Sequence, residues 1–263
     1  MIDVAARLAA AGVGSDRLVE LSGPSMAGAA VGVHATLARP QMPVLRVSSA
    51  FAPVLPDGLR RGSTIAISGS VSLLLAVLGA ASADGAWCAL VGMPAISAEA
   101  ARDFGIELTR LPLVPFPGPD WVAVVAALLD AVDVVVARTP ARLADGDIRR
   151  LAARVRSKGA VFVPFTAGVA PRSGAAPWPH ADVRVSLEPG DWSGIGSGYG
   201  RLRQRRVRVT AEGRGAAARH RSVGLWLPTA AGGVEPDCSP PLGTVIPFNP
   251  AGVEVVPRLA GVR

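Results

Sequence analysis

The apolar and polar positions of this chain alternate regularly between residues 63 and 165. Short runs of apolar, often β-branched residues are separated by stretches whose apolar side chains recur at helical spacing. The runs predict strands at 63–68, 87–91, 132–137 and 160–165, with an extended segment at 108–114. The stretches between them predict helices at 72–83, 97–104, 120–131 and 145–157. Apolar strands separated by helices are typical of a mainly parallel sheet flanked by helices.

The pattern changes on either side of this region. Apolar positions at helical spacing predict one short helix in residues 1–22, and five prolines in residues 23–60 indicate a loose connector. After residue 180, alternation with a period of two predicts strands at 181–187, 203–210 and 222–227, which form an antiparallel C-terminal extension of the sheet. We therefore expect an N-terminal helix and linker over 1–54, a core over 55–227 and a poorly ordered Pro- and Gly-rich tail over 228–263.

Composition supports a large folded core and a basic surface. Half of the 263 residues are hydrophobic and the net charge is +7, with Lys158 as the only lysine. Arginine suits planar, bidentate contacts with phosphate or carboxylate, so an acidic partner such as nucleic acid fits, although arginine-rich codon usage would give the same balance. Two cysteines, Cys88 and Cys238, and no signal peptide predict a cytoplasmic protein without a disulfide framework.

One uncharged stretch, residues 62–83, has the length of a membrane span. Serine, threonine and glycine interrupt it, and its apolar period changes halfway from that of a strand to that of a helix. We therefore expect a buried strand followed by a buried helix, and no membrane segment.

The same stretch has the strand–glycine–helix order of a phosphate-binding loop. Gly69 stands at the first glycine of such a loop, and Leu74, Leu75 and Ala76 fall on its Gly-Lys-Thr positions. No cation is available there for the phosphates and no hydroxyl for Mg²⁺, so magnesium-dependent hydrolysis is not expected. An ordinary strand–turn–helix explains these residues without a ligand.

Three segments resemble the ATPase core of RecA-type recombinases. They are Leu59–Gly69, Trp87–Ile106 and Ala131–Leu143, within a region of similarity over about residues 55–170. The chain departs from the family twice more, because Gly92-Met93-Pro94 replaces the water-activating glutamate and Arg138 replaces the metal-binding aspartate. The resemblance implies a RecA-like core that is not an enzyme and has no catalytic residue, metal or cofactor. The three scattered histidines also give no metal-ligand spacing.

A second segment, residues 192–215, combines a glycine run with five closely spaced arginines. It resembles the C-terminal part of ImuA-type proteins, the RecA/SulA-like accessory factors of the damage-induced mutasome, whose actinobacterial form lacks the ATPase motifs. This resemblance implies an adaptor in SOS-induced mutagenic translesion DNA synthesis and DNA repair. The implied partners are the inactive Y-family polymerase homologue ImuB, an error-prone C-family polymerase and RecA.

The five arginines form the candidate DNA- or partner-binding site. Alternation along a strand places them on two faces, and the change of parity between positions 205 and 206 predicts a bulge or a strand start there. They are Arg201, Arg203 and Arg205 on one face, and Arg206 and Arg208 on the other. These residues fit three surroundings: DNA phosphates, an acidic protein surface, or solvent alone, as on a charged edge strand that resists aggregation. Trp192 and Trp226 are candidate interface anchors.

The functional interpretation is a non-catalytic adaptor that works through its surfaces. Three alternatives stay open at this point: a SulA-type cell-division inhibitor that caps a tubulin-like protein, a RecA-fold protein that binds DNA directly, and an ATPase with an unconventional site.

Overall fold

A computed structural model of the chain describes residues 44–168, 178–195, 200–213 and 219–238. The helix predicted for residues 1–22 and the tail beyond Cys238 lie outside the described residues. Within the described ranges, no helix is long and apolar enough to cross a membrane.

The described strands form one ten-stranded sheet in the order β10-β9-β8-β6-β1-β5-β4-β2-β3, with β7 paired to β8. The strands are β1 Ile65–Gly69, β2 Cys88–Val91, β3 Leu113–Val114, β4 Val134–Arg138, β5 Val161–Ala167, β6 Val183–Leu187, β7 Asp191–Ile195, β8 Gly200–Gly213, β9 Arg221–Trp226 and β10 Glu235–Pro236. The block from β6 to β3 is parallel, and β7 to β10 pair antiparallel. The predicted α/β fold with a mainly parallel sheet and an antiparallel C-terminal extension is confirmed.

Four α-helices connect the parallel strands: α1 Val71–Ala83, α2 Ala98–Asp103, α3 Trp121–Ala131 and α4 Asp145–Lys158. Serine side chains cap the first two, because Ser70 Oγ accepts from the Leu73 N–H and Ser97 Oγ from the Ala100 N–H. Gly159 ends α4 in the left-handed conformation, at φ 70°, as the Lys158-Gly159 pair predicts.

The two faces of the sheet carry separate apolar cores. Alternate residues of each strand point to opposite sides, so Ile65 and Ile67 pack with α1 on one face, whereas Ala66 packs on the other face with α3 and α4. On that second face, Phe162 meets Trp178 edge to face with ring centroids 5.2 Å apart. This burial on both sides explains the near-continuous apolar character of the parallel strands.

Four sequence predictions are wrong in detail. Part of the predicted connector belongs to the core, because a 3₁₀ turn at Ser49–Phe51 leads into a segment that buries Phe51 and Leu59 completely. The extended segment at 108–114 begins as a 3₁₀ turn, Leu108–Arg110, before β3. The start of the tail is structured and supplies β10.

No bulge separates positions 205 and 206, since β8 keeps one register with β7 from Gln204 to Arg206 and with β9 from Arg206 to Ala211.

Candidate functional site

The turn between β1 and α1 is too short to enclose a phosphate. The strand ends at Gly69 and the helix begins at Val71, so Ser70 alone lies between them. Gly69 has φ 130°, and a Cβ added to it would lie 2.8 Å from the Cβ of Leu187. Its need for glycine therefore comes from close packing of β1 against β6 and from the backbone conformation.

The three positions that correspond to Gly-Lys-Thr lie inside α1 and in the core. Leu74, Leu75 and Ala76 are exposed by 0%, 1% and 3%. The Leu74 N–H already donates to the Ser70 carbonyl, and the Leu73 N–H donates to Ser70 Oγ. These backbone donors are satisfied within the helix, so they do not point into a loop where a phosphate could bind.

Arg138 lies at the carboxyl end of β4 with its side chain exposed. It is next to Gly92, the first residue of the Gly92-Met93-Pro94 segment, because a Cβ on Gly92 would lie 3.4 Å from Arg138 Cβ. The Arg138 carbonyl accepts a hydrogen bond from Trp121 Nε1 at 3.1 Å, which ties the end of β4 to the start of α3. Two departures from the RecA pattern therefore meet at the carboxyl edge of the sheet, where α/β proteins bind ligands.

Acidic groups that could bind a metal ion do not gather at this edge. In the part of the chain that the structure describes, no three His, Cys, Asp or Glu residues lie close enough together to hold a metal ion. The local chemistry is that of an exposed guanidinium beside a glycine turn.

The five candidate arginines of β8 divide into two groups with different surroundings. Arg206 forms an ion pair with Asp237, whose side chain is 5% exposed, and Arg208 lies 3.9 Å from Glu188. Arg205 lies on the opposite face, with its guanidinium carbon 5.6 Å from the centre of the Trp192 ring. Arg201 and Arg203 are exposed. The five residues therefore do not form a single stripe. The ion pair of Arg206 with Asp237, a residue of the predicted tail, could not be predicted from the local sequence pattern.

Cys88 is unsuited to nucleophilic chemistry. Burial, reinforced by the Asp133 carboxylate, raises the pKa of its thiol to about 12 despite the opposing effect of Arg110. A thiol with such a pKa is almost entirely protonated at neutral pH, and the thiolate is the reactive form.

This difference in burial predicts selective labelling of the two cysteines. A thiol reagent at pH 8 should modify Cys238, which is exposed, within minutes, and Cys88 only after denaturant is added. Mass spectrometry of the labelled peptides checks this, with Cys238→Ser as the matched control. Rapid labelling of Cys88 in the folded Cys238→Ser variant would contradict the buried position.

The chain is similar to known proteins over its RecA-like core. Residues 53–171 match the family model described as the MT3502 N-terminal domain. The uncharacterized protein Rv3395c of Mycobacterium tuberculosis (strain ATCC 25618 / H37Rv) is 37% identical over 117 residues, which cover 44% of this chain and 57% of that protein. The chain thus spans little more than half the length of this curated relative.

A solved structure shares the fold. The crystal structure of the RadB recombinase superposes with a TM-score of 0.55 at 12% identity, covering 72% of this chain and 97% of that chain. This similarity confirms the RecA-like architecture. At 12% identity the similarity shows the fold alone, and the ImuA-type identification stays a prediction.

Proposed function

We propose that this chain is a non-catalytic RecA-fold adaptor in damage-induced translesion DNA synthesis. It binds an ImuB-type polymerase homologue and RecA through its surfaces and performs no nucleotide chemistry. The observation that carries this proposal is the burial of Leu74, Leu75 and Ala76 in the core at the positions where a RecA ATPase grips its triphosphate.

A bound nucleotide would need to displace buried groups at the start of α1. A triphosphate requires inward-pointing backbone N–H groups, a lysine and a metal-binding hydroxyl. Here the first turn of α1 would have to unwind, which breaks the Ser70 cap and exposes leucines that now pack against the sheet. Arg138 adds a positive charge near the place where Mg²⁺ would be held, and a cation repels the metal.

The catalytic part of the proposal is tested by nucleotide binding and hydrolysis. Calorimetric titration with ATP and Mg²⁺ should show no saturable binding, and phosphate release should stay at the level of the buffer, with a functional RecA measured in parallel. Arg138→Asp, which restores an acidic group at the metal position, should remain inactive because the loop positions are still buried. Magnesium-dependent hydrolysis by the wild type that disappears in Arg138→Ala would contradict a non-catalytic protein.

The adaptor role is tested by capture with purified partners. The full chain, immobilised, should retain the ImuB-type homologue, and RecA in a separate binding reaction. Retention of a tubulin-like GTPase instead of the ImuB-type protein would support a SulA-type division inhibitor and contradict the adaptor role. Deletion of the gene is expected to lower damage-induced mutation frequency, as loss of a translesion factor should.

A further inference from the structure

A two-stranded ribbon extends beyond the rest of the sheet. We define the ribbon as residues 191–195 of β7 together with residues 200–205 of β8. At its base, β6 pairs with β8 only from Val209 onward, and the β9 ladder begins at Arg206. The Arg205 N–H donates to the Pro228 carbonyl and its carbonyl accepts from the Leu227 N–H, so the free part of the ribbon starts beyond Arg205. Every residue of β7 is exposed, as are residues 200–203 of β8. A two-stranded ribbon gains little stability by itself, so its exposed side chains are available to a ligand and contribute little to the core.

One face of the ribbon combines an aromatic ring with a row of arginines. Trp192, 45% exposed, pairs across the strands with Arg205, and Arg203 follows two residues away along β8. The pairing shifts register between Ser193 and Ile195, and Arg201 is exposed beyond that irregularity. Gly194, at φ 108°, lies close against β8, because a Cβ there would lie 2.3 Å from the Arg201 carbonyl oxygen and 2.9 Å from Arg203 Cγ. The glycine thus lets the two strands of the ribbon approach each other closely at Arg201 and Arg203.

The charge on this face is uncompensated. The arginines on the opposite face of β8 have carboxylate neighbours, Asp237 for Arg206 and Glu188 for Arg208. Within the described ranges, no carboxylate lies at ion-pair distance from Arg201, Arg203 or Arg205. The Nε of Arg205 is buried and has no hydrogen-bond partner among the described residues. The ribbon face therefore has a single sign of charge next to an exposed indole.

We propose that this ribbon face binds single-stranded nucleic acid. Trp192 stacks on an unpaired base, and the exposed Arg201 and Arg203 contact phosphates of the same strand. The arginines favour a polyanion because their charges are complementary to it. The exposed indole favours a ligand with planar bases that are free to stack. Bases inside a duplex are already stacked, and an acidic peptide has none. The inference rests on the proposed function for its choice of DNA, because a translesion adaptor works beside unpaired template.

The test uses the full chain and fluorescently labelled oligothymidine, followed by anisotropy over a series of salt concentrations. Trp192→Ala should weaken binding by about fivefold or more, since one stacked base contributes at least that factor, and Trp192→Phe should retain most of the affinity. Arg201→Ala with Arg203→Ala should reduce the slope of log Kobs against log salt by about 1.4, because each phosphate that an arginine neutralises contributes roughly 0.7 to that slope.

The matched control removes two arginines elsewhere. Arg149→Ala with Arg150→Ala changes the net charge equally on the exposed surface of α4, and should leave the slope within about 0.7 of the wild type. Circular dichroism of each variant confirms folding. Equal losses in the control and ribbon variants would overturn the site, as would binding of polyglutamate without binding of oligothymidine.

A parallel measurement with oligouridine distinguishes the two kinds of strand. Tighter binding of oligouridine, abolished in the same variants, supports the ribbon site and identifies its ligand as RNA. Capture of the ImuB-type homologue by a chain that fails to bind either oligonucleotide would refute the ribbon proposal and leave the proposed function standing.

Discussion

Leu75→Lys should destabilise the protein by at least about 4 kcal/mol, because a fully buried lysine loses its proton at a pKa depressed by 3–5 units, each worth about 1.36 kcal/mol. Leu75 is 1% exposed in the core between α1 and the sheet. This change places a lysine at the position where a RecA-type loop would have its phosphate-binding lysine. Denaturant unfolding measures the effect, and the loss is a large part of the stability of an ordinary domain.

The pH dependence of this variant follows from the same burial. The folded state keeps the introduced amine neutral while the unfolded state protonates it, so the unfolded state binds more protons between the two pKa values. The stability deficit relative to the wild type should therefore shrink as the pH rises toward about 10.4, the ordinary pKa of lysine.

Two controls separate charge burial from the substitution itself. Val71→Lys lies in the same helix at a position 37% exposed, and should cost less than about 1 kcal/mol, mainly from a cation at a helix N-terminus. Leu75→Met conserves volume and should cost less than about 1.5 kcal/mol. A Leu75→Lys variant as stable as Val71→Lys would show that the position opens to solvent, where a phosphate could reach it, and would contradict the buried helix start.

Phe162→Ala should lower the free energy of unfolding by about 3–5 kcal/mol, because it removes a fully buried aromatic ring and leaves a cavity. Phe162 is 0% exposed on the sheet face covered by α3 and α4, and its ring supports Trp178. The loss is read from urea unfolding followed by far-ultraviolet circular dichroism, with the combined fluorescence of the five tryptophans as a second probe.

The matched control is Phe116→Ala, the same chemical change at a ring that is 79% exposed. Its effect should stay within about 0.5 kcal/mol. Similar losses for both variants would contradict the position of Phe162 between the sheet and its helices.

The parallel part of the fold could be predicted because its strands are buried on both faces. That burial demands continuous apolar runs, and Ser97 is a recognisable helix cap, whereas the cap of α1 is Ser70, two residues before the predicted helix start at 72. The same pattern predicts Leu74–Ala76 in a helix and Arg138 at a strand end, where the structure has them. Local patterns are sufficient here because local burial and capping determine these elements.

The parts of the fold that could not be predicted depend on contacts between residues far apart in sequence, or bury little apolar surface. β7 has the sequence Asp-Trp-Ser-Gly-Ile and lies in a ribbon without a buried face, so it shows no apolar period. β10 is held by pairing with β9 and by the ion pair of Asp237 with Arg206, 31 residues away in sequence. In residues 51–59, the prolines favoured the prediction of a loose connector. Apolar residues nevertheless recur there every four positions, and all three lie in the core: Phe51, Leu55 and Leu59.

In the part of the chain that the structure describes, the main sheet finishes on each side with a strand of only two residues, β3 and β10. So short a border exposes few unpaired backbone groups, and Pro236 removes one N–H donor from β10. The strand of another protein molecule therefore has few backbone groups to pair with at either edge of the main sheet. Backbone pairing between copies of this protein is therefore disfavoured at these two edges of the main sheet.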